Sequence, residues 1–103
     1  MILVSVLYPN DAGSKFDLDY YLQKHIPLVQ ARWGGMGLRE VRVLRGTAAG
    51  DGGQAPYRLI ALLTFGSMEE FRSAGKAHGA EIFADIPKFT DVTPVVQINE
   101  PLD

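Results

Sequence analysis

Two stretches of this chain are apolar on both faces of a would-be strand, and nothing else in it restricts the fold as much. In "ILVSVLY", residues 2–8, Ile2, Val4, Val6 and Tyr8 alternate with Leu3, Ser5 and Leu7. In "YRLIALLTF", residues 57–65, Tyr57, Leu59, Ala61, Leu63 and Phe65 point one way, and Ile60 and Leu62 the other. Successive strand side chains face opposite sides of a sheet. Each of these strands therefore needs apolar cover on two sides.

The remaining elements supply cover for one side only. After the turn-forming "PNDAGSK", Asp17 is placed to cap a helix, with Asp19 adding favourable negative charge in its first turn. Leu18, Leu22, Ile26, Val29 and Trp33 form an apolar stripe on that helix, which Gly34 and Gly35 end. "GLREVRVLRGT" reads as a second strand, followed by the glycine-rich connection "AAGDGGQAP", which is expected to be mobile. Ser67 opens a second helix as "SMEE", a capping box in which Glu70 reaches back to the Ser67 backbone. Met68, Phe71, Gly75 and His78 share one face of it, and Gly79 is expected to end it. "AEIFADIPKF" reads as a short helical turn stopped by Pro87. "VTPVVQIN", residues 92–99, is the last strand, confined by Pro94 to an edge or bulge.

The order β-α-β-β-α-β predicts one α+β domain over residues 1–103, a ferredoxin-like antiparallel sheet with two helices on one face. A monomer would leave the second face of the sheet as an exposed apolar patch of a size that soluble monomers rarely carry. Burying that face against a second copy gives a two-fold homodimer with the form of a dimeric α/β barrel. The alternative, a monomer covered by its own loops, lacks a spare segment of sufficient length.

Composition excludes several functions. There is no cysteine among the 103 residues, so disulfides, thiolate nucleophiles and iron–sulfur ligation are ruled out. His25 and His78 stand apart and form no dense metal-ligand cluster. The net charge is −2, and Arg39, Arg42 and Arg45 lie on a strand that would turn them to alternate faces, a weak footprint for nucleic acid or anionic membrane. The opening residues are apolar for too short a run to span a bilayer and lack a basic leader region, so a cytoplasmic location is expected.

The first helix then poses a question. With Leu18 at zero and about 100° per residue, His25 falls about 20° from the centre of the apolar stripe. It should point at the sheet, where burial favours the neutral imidazole. Tyr21, one turn earlier, can offer it a hydroxyl. Pro27 denies the carbonyl of Gln23 its usual partner, so the helix should kink or split near His25. A satisfied core histidine is the plainer reading. Local rule-breaking of this kind nonetheless tends to accompany functional sites. His78, read as lying at the end of the second helix, is explained by the helix dipole. Asp85 is read as capping or turning the chain before Pro87.

"YPNDAGSKFDLDYYLQKHIPLV" resembles the opening signature of the EthD family, named for ethyl tert-butyl ether degradation: Tyr-Pro at the end of the first strand, a loop, then F-D-x-D-Y-Y-x-x-x-H-x-P-L. "EIFADIPKFTDVTPVVQINE" resembles the family's closing D-I-x-x-F-T and final strand, so the likeness spans nearly the whole chain. The resemblance implies the dimeric α/β barrel superfamily and a pocket for a small, fairly apolar organic molecule. It points to His25 and Tyr21 as catalytic residues. Tyr8, Tyr20 and Asp85 join as substrate-binding candidates, as does Trp33 from the end of the stripe. Relatives within the superfamily include cofactor-free monooxygenases, isomerases and haem proteins.

Two functions follow from these expectations. One is a cofactor-independent lyase, isomerase or monooxygenase in which His25 moves a proton and Tyr21 orients it or donates to a developing oxyanion. The other is a non-catalytic accessory protein that holds an apolar ether, aromatic or polyketide-like compound for a partner oxygenase. No metal or cofactor is expected, since a porphyrin needs more wall than so short a chain supplies.

Overall fold

A computed structural model describes residues 1–103. The elements are β1 (Ile2–Pro9), a first helix in three parts, β2 (Leu38–Arg45), β3 (Tyr57–Phe65), α3 (Met68–Asp85), a 3-10 turn (Ile86–Lys88) and β4 (Val95–Asn99). The three parts of the first helix are α1 (Leu18–Tyr20), a π-helical turn (Tyr21–His25) and α2 (Ile26–Trp33). The strands lie in the order β2-β3-β1-β4, every neighbour antiparallel. This is the ferredoxin-like α+β arrangement that the sequence predicts.

The two strands that are apolar on both faces are the central pair. On the helix side Val4 lies opposite Leu63, Val6 opposite Ala61 and Tyr8 opposite Leu59. On the other side Leu7 pairs with Ile60 and with Val95, and Ile60 pairs with Leu44, so an apolar row crosses all four strands. No helix covers that row, and Leu44 and Val95 are exposed.

Asp17 caps the first helix as predicted, accepting a hydrogen bond from the Tyr20 N–H. The expected disturbance at Pro27 is a π-helical turn, in which the Ile26 N–H bonds to the Tyr21 carbonyl five residues back. That extra residue per turn corrects the predicted stripe. Leu22 is 46% exposed, whereas Tyr21, His25, Ile26, Val29 and Trp33 are buried. The π turn rotates the later residues relative to the earlier ones, so that Tyr21 takes the inward place a regular helix would give to Leu22.

The second helix also differs from expectation. α3 runs unbroken through Gly79 to Asp85, and "AEIFAD" is its last third. A glycine stops a helix by adopting positive φ. Gly13, Gly37 and Gly52 do so, and Gly79 does not. His78 accordingly sits in mid-helix, where the dipole account does not apply, with Nδ1 3.9 Å from Glu81. At the start of α3 the Ser67 hydroxyl accepts from the Glu70 N–H at 3.1 Å, but the Glu70 carboxylate faces that hydroxyl instead of the Ser67 backbone.

β4 begins at Val95, three residues later than predicted, and Pro94 lies just outside it at the sheet edge. The glycine-rich connection is tied down at its flank. Asn10 bonds to the carbonyls of Ala55 and Pro56, and the Gln54 amide bonds back to Asn10.

Candidate active site

The helices and the sheet enclose a cavity of about 330 Å³. Val4, Val6, Ala61 and Leu63 of the sheet form one wall, and Ile26, Val29 and Trp33 of α2 form another. Gly75 and Gly79 of α3 line it as well, and a Cβ built on either meets nothing within 4 Å. These two glycines, one helical turn apart, keep open a space that larger side chains would fill. Phe83 and Val96, 50% and 41% exposed, mark where α3 and β4 leave the cavity its mouth.

Four lining side chains carry a polar group: Tyr8, Tyr21, His25 and Trp33, and the Trp33 indole N–H is taken up by the Ala74 carbonyl. His25 is held hardest. Its Nδ1 lies 2.9 Å from Asp85 Oδ2, and both side chains are buried. The other Asp85 oxygen accepts from the Tyr20 hydroxyl at 2.8 Å, with Lys88 Nζ 3.6 Å away. Burial pushes the Asp85 carboxyl up, but the hydrogen bonds from His25 and Tyr20 and the charge of Lys88 outweigh it and hold the group below its ordinary value. For His25, burial is the largest influence and lowers its pKa, although Asp85 pulls the other way. The pair is therefore an ionised carboxylate and a neutral imidazole. Nδ1 carries the proton that Asp85 accepts, and Nε2 keeps its lone pair for the cavity.

Distant segments bring this pair together. The Asp17 N–H donates to the Phe89 carbonyl at 2.7 Å, Thr90 Oγ1 donates to the Lys15 carbonyl at 2.6 Å, and the Lys15 N–H donates to Asp91. Phe16 and Thr90 form an isolated bridge. The start of the first helix is thus pinned to the chain just after α3, which sets Tyr20 and His25 against Asp85. Phe89 closes the arrangement, its ring 4.6 Å from the imidazole, while the Tyr21 ring stacks on His25 at 5.5 Å.

The two lining tyrosines differ from ordinary buried phenols. Neither oxygen is hydrogen-bonded within the chain, yet no fully buried polar side-chain atom lacks a partner, so both oxygens keep some open surface. The Tyr8 and Tyr21 rings meet edge-on at 5.8 Å. Burial pushes both phenols up, and for Tyr21 the neighbouring Tyr8 adds to it, so both remain protonated hydrogen-bond donors.

Of the residues singled out from the sequence, His25, Tyr21, Tyr8 and Trp33 line the cavity. Tyr20 and Asp85 lie behind the imidazole, away from the cavity, in an outer groove that Lys24 and Lys88 share. Two partnerships differ from the sequence reading. His25 bonds to Asp85 and meets Tyr21 through stacked rings, not through its hydroxyl. Asp85 makes no capping bond at the 3-10 turn. Phe89 was missed as a site residue, although "DIPKFT" carried both it and Asp85.

A four-stranded antiparallel sheet with helices on one side and a cavity between them defines the class: a ferredoxin-like α+β protein. No protein-family model matches the sequence, and no curated protein does. Solved structures do. An EthD-like protein from Ralstonia eutropha JMP134 is 37% identical, with a TM-score of 0.90 over 99% of this chain and 92% of that one. An ethyl tert-butyl ether degradation (EthD) family protein from Bacillus halodurans C-125 is 21% identical, with a TM-score of 0.78 over 99% of both chains. A dimeric ferredoxin-like protein from an uncultured marine organism, 11% identical, shares the fold at a TM-score of 0.57 over 100% and 96%. The chain belongs to the EthD family.

Proposed function

We propose that this protein is a cytoplasmic, cofactor-independent enzyme of small-molecule metabolism or degradation, with His25 as the general base and acid acting on an apolar organic compound. The single observation that carries this reading is the 2.9 Å bond from His25 Nδ1 to buried Asp85, which fixes the tautomer and leaves Nε2 to the apolar cavity. A base so held is oriented before substrate arrives, and acid–base catalysis of this kind contributes roughly 10²–10⁴-fold. Tyr8 and Tyr21 supply the donors for charge that develops on the substrate, and Trp33 closes the apolar end. Asp85 and Tyr20 act through His25.

The same cavity would serve an accessory protein that holds substrate for a partner oxygenase, and one variant separates the two. His25→Gln keeps a hydrogen-bonding side chain. Turnover of a ligand that binds the cavity should fall by about 10²–10⁴-fold with affinity changed little. A wild-type protein that binds such a ligand and never converts it supports the holder and contradicts the enzyme.

The uncovered sheet face supports a homodimer. The row Leu44, Ile60, Leu7 and Val95 crosses the sheet without cover, and the two-fold packing of this face on itself buries it in the form of an α/β barrel. The dimeric ferredoxin-like structure of the same fold supports it too. Sedimentation of the intact chain checks this, and a mass of 11.3 kDa contradicts it.

A further inference from the structure

The cavity's polar groups constrain what it accepts. No lysine, arginine, aspartate or glutamate lines it. A charged ligand would lose its hydration with no opposite charge to meet it. Tyr8 and Tyr21 offer two hydroxyl donors whose rings touch edge-on, and His25 offers one acceptor nitrogen. An sp² carbonyl oxygen, with two in-plane lone pairs, can accept from two donors at once. Size follows from volume. A dry cavity of about 150 Å³ takes a benzene ring, so about 330 Å³ suits a compound of about two rings.

We propose that the substrate is a neutral, two-ring-sized carbonyl compound with an acidic α-C–H, its oxygen held jointly by the Tyr8 and Tyr21 hydroxyls while His25 Nε2 takes the α-proton. The proposal rests on the general-base reading above and names for it the substrate class and the one oxygen that both phenols hold. In the step the α-C–H bond breaks and its proton goes to Nε2. The freed pair forms a C=C bond, and the carbonyl π pair moves onto oxygen as an enolate. Both phenols donate to that oxygen, and Asp85 stabilises the imidazolium through Nδ1. Return of the proton to carbon or oxygen completes an exchange or isomerisation that needs no oxidant.

Three probes of one size test this: 2-tetralone, tetralin and tetralin-2-carboxylate, added to the intact protein. Binding is read from the indole resonance of Trp33, the one tryptophan, which lines the cavity and is present in every variant, and catalysis from deuterium uptake at the α-carbon of 2-tetralone in heavy water. The ketone should bind about tenfold or more tighter than tetralin, a difference of about 1.4 kcal/mol and in range for a net hydrogen bond. The carboxylate should not bind measurably. Wild type should speed exchange about 10²-fold or more over buffer. Tyr8→Phe and Tyr21→Phe should each lose the ketone preference while keeping tetralin affinity, which shows that they are folded. His25→Gln should keep the preference and lose exchange.

Equal binding of tetralin and ketone, or tightest binding of the carboxylate, overturns the substrate class. Ketone preference without exchange in wild type overturns the proton step, and with it the general-base reading, while the donor pair survives. Exchange that is indifferent to both tyrosines overturns the donor pair alone.

Discussion

The space beneath the helices has two ends built from similar residues. At one, Trp33, Phe65 and Phe71 pack edge to face at 5.7 and 5.2 Å, among Val4, Val29 and Leu63. The single polar atom there, the indole Nε1, donates to the Ala74 carbonyl at 2.8 Å. At the other end Tyr8, Tyr21, Phe16 and Phe89 pack just as closely around His25. There two phenol oxygens and one imidazole nitrogen are left without partners in the chain, on side chains that line the cavity. Both ends bury aromatic surface. The Trp33 end is finished as a core, while the His25 end stays chemically open, and that difference locates the site.

The comparison breaks most visibly at Trp33. Trp33→Ala should cost about 3–5 kcal/mol of stability, the range for a buried tryptophan, and denaturant unfolding would measure it. His25 should still titrate as in wild type wherever the variant is folded. A coupled loss of both would mean that the two ends are one unit.

A smaller effect comes from acid. Burial lowers the His25 pKa in the folded chain below its ordinary 6.5, so below pH 6.5 the unfolded state binds more protons than the folded one. Stability should fall as pH drops from 6.5 through the folded value, by at most about 1.4 kcal/mol per pH unit for one proton. Asp85, held below its ordinary 3.8, adds a second loss only beneath that. Denaturation midpoints in His25→Gln should stay flatter between pH 6.5 and 5 than in wild type. An equal slope in both would place the titrating group elsewhere.

How much of this is legible in the sequence depends on the distance over which each cause acts. Strand alternation is local, so the central place of β1 and β3, the inward set from Tyr57 to Phe65 and the topology follow from residue order. The cap at Asp17 and the inward turn of His25 are local as well. Leu22 misled because a regular wheel cannot represent the π turn that Pro27 accompanies. Gly79 misled because its composition suggests a stop while its φ stays helical. The Asp85 partnership lies 60 residues from His25. It depends on the pairing of the segment before the first helix with the segment after α3, which no periodicity reports. The EthD-like "DIPKFT" placed Asp85 among the candidates without saying what it touches.

The most direct test of the central claim is an NMR pH titration of His25, with nitrogen shifts to read its tautomer and a His78 variant to assign the two histidines. A neutral ring protonated on Nδ1 at pH 7, a midpoint below 6.5, and resonances that shift when a cavity ligand binds are the predicted result. A ring protonated on Nε2, or a His25 that neither titrates nor responds to any ligand, would make it a sealed structural group and contradict the account.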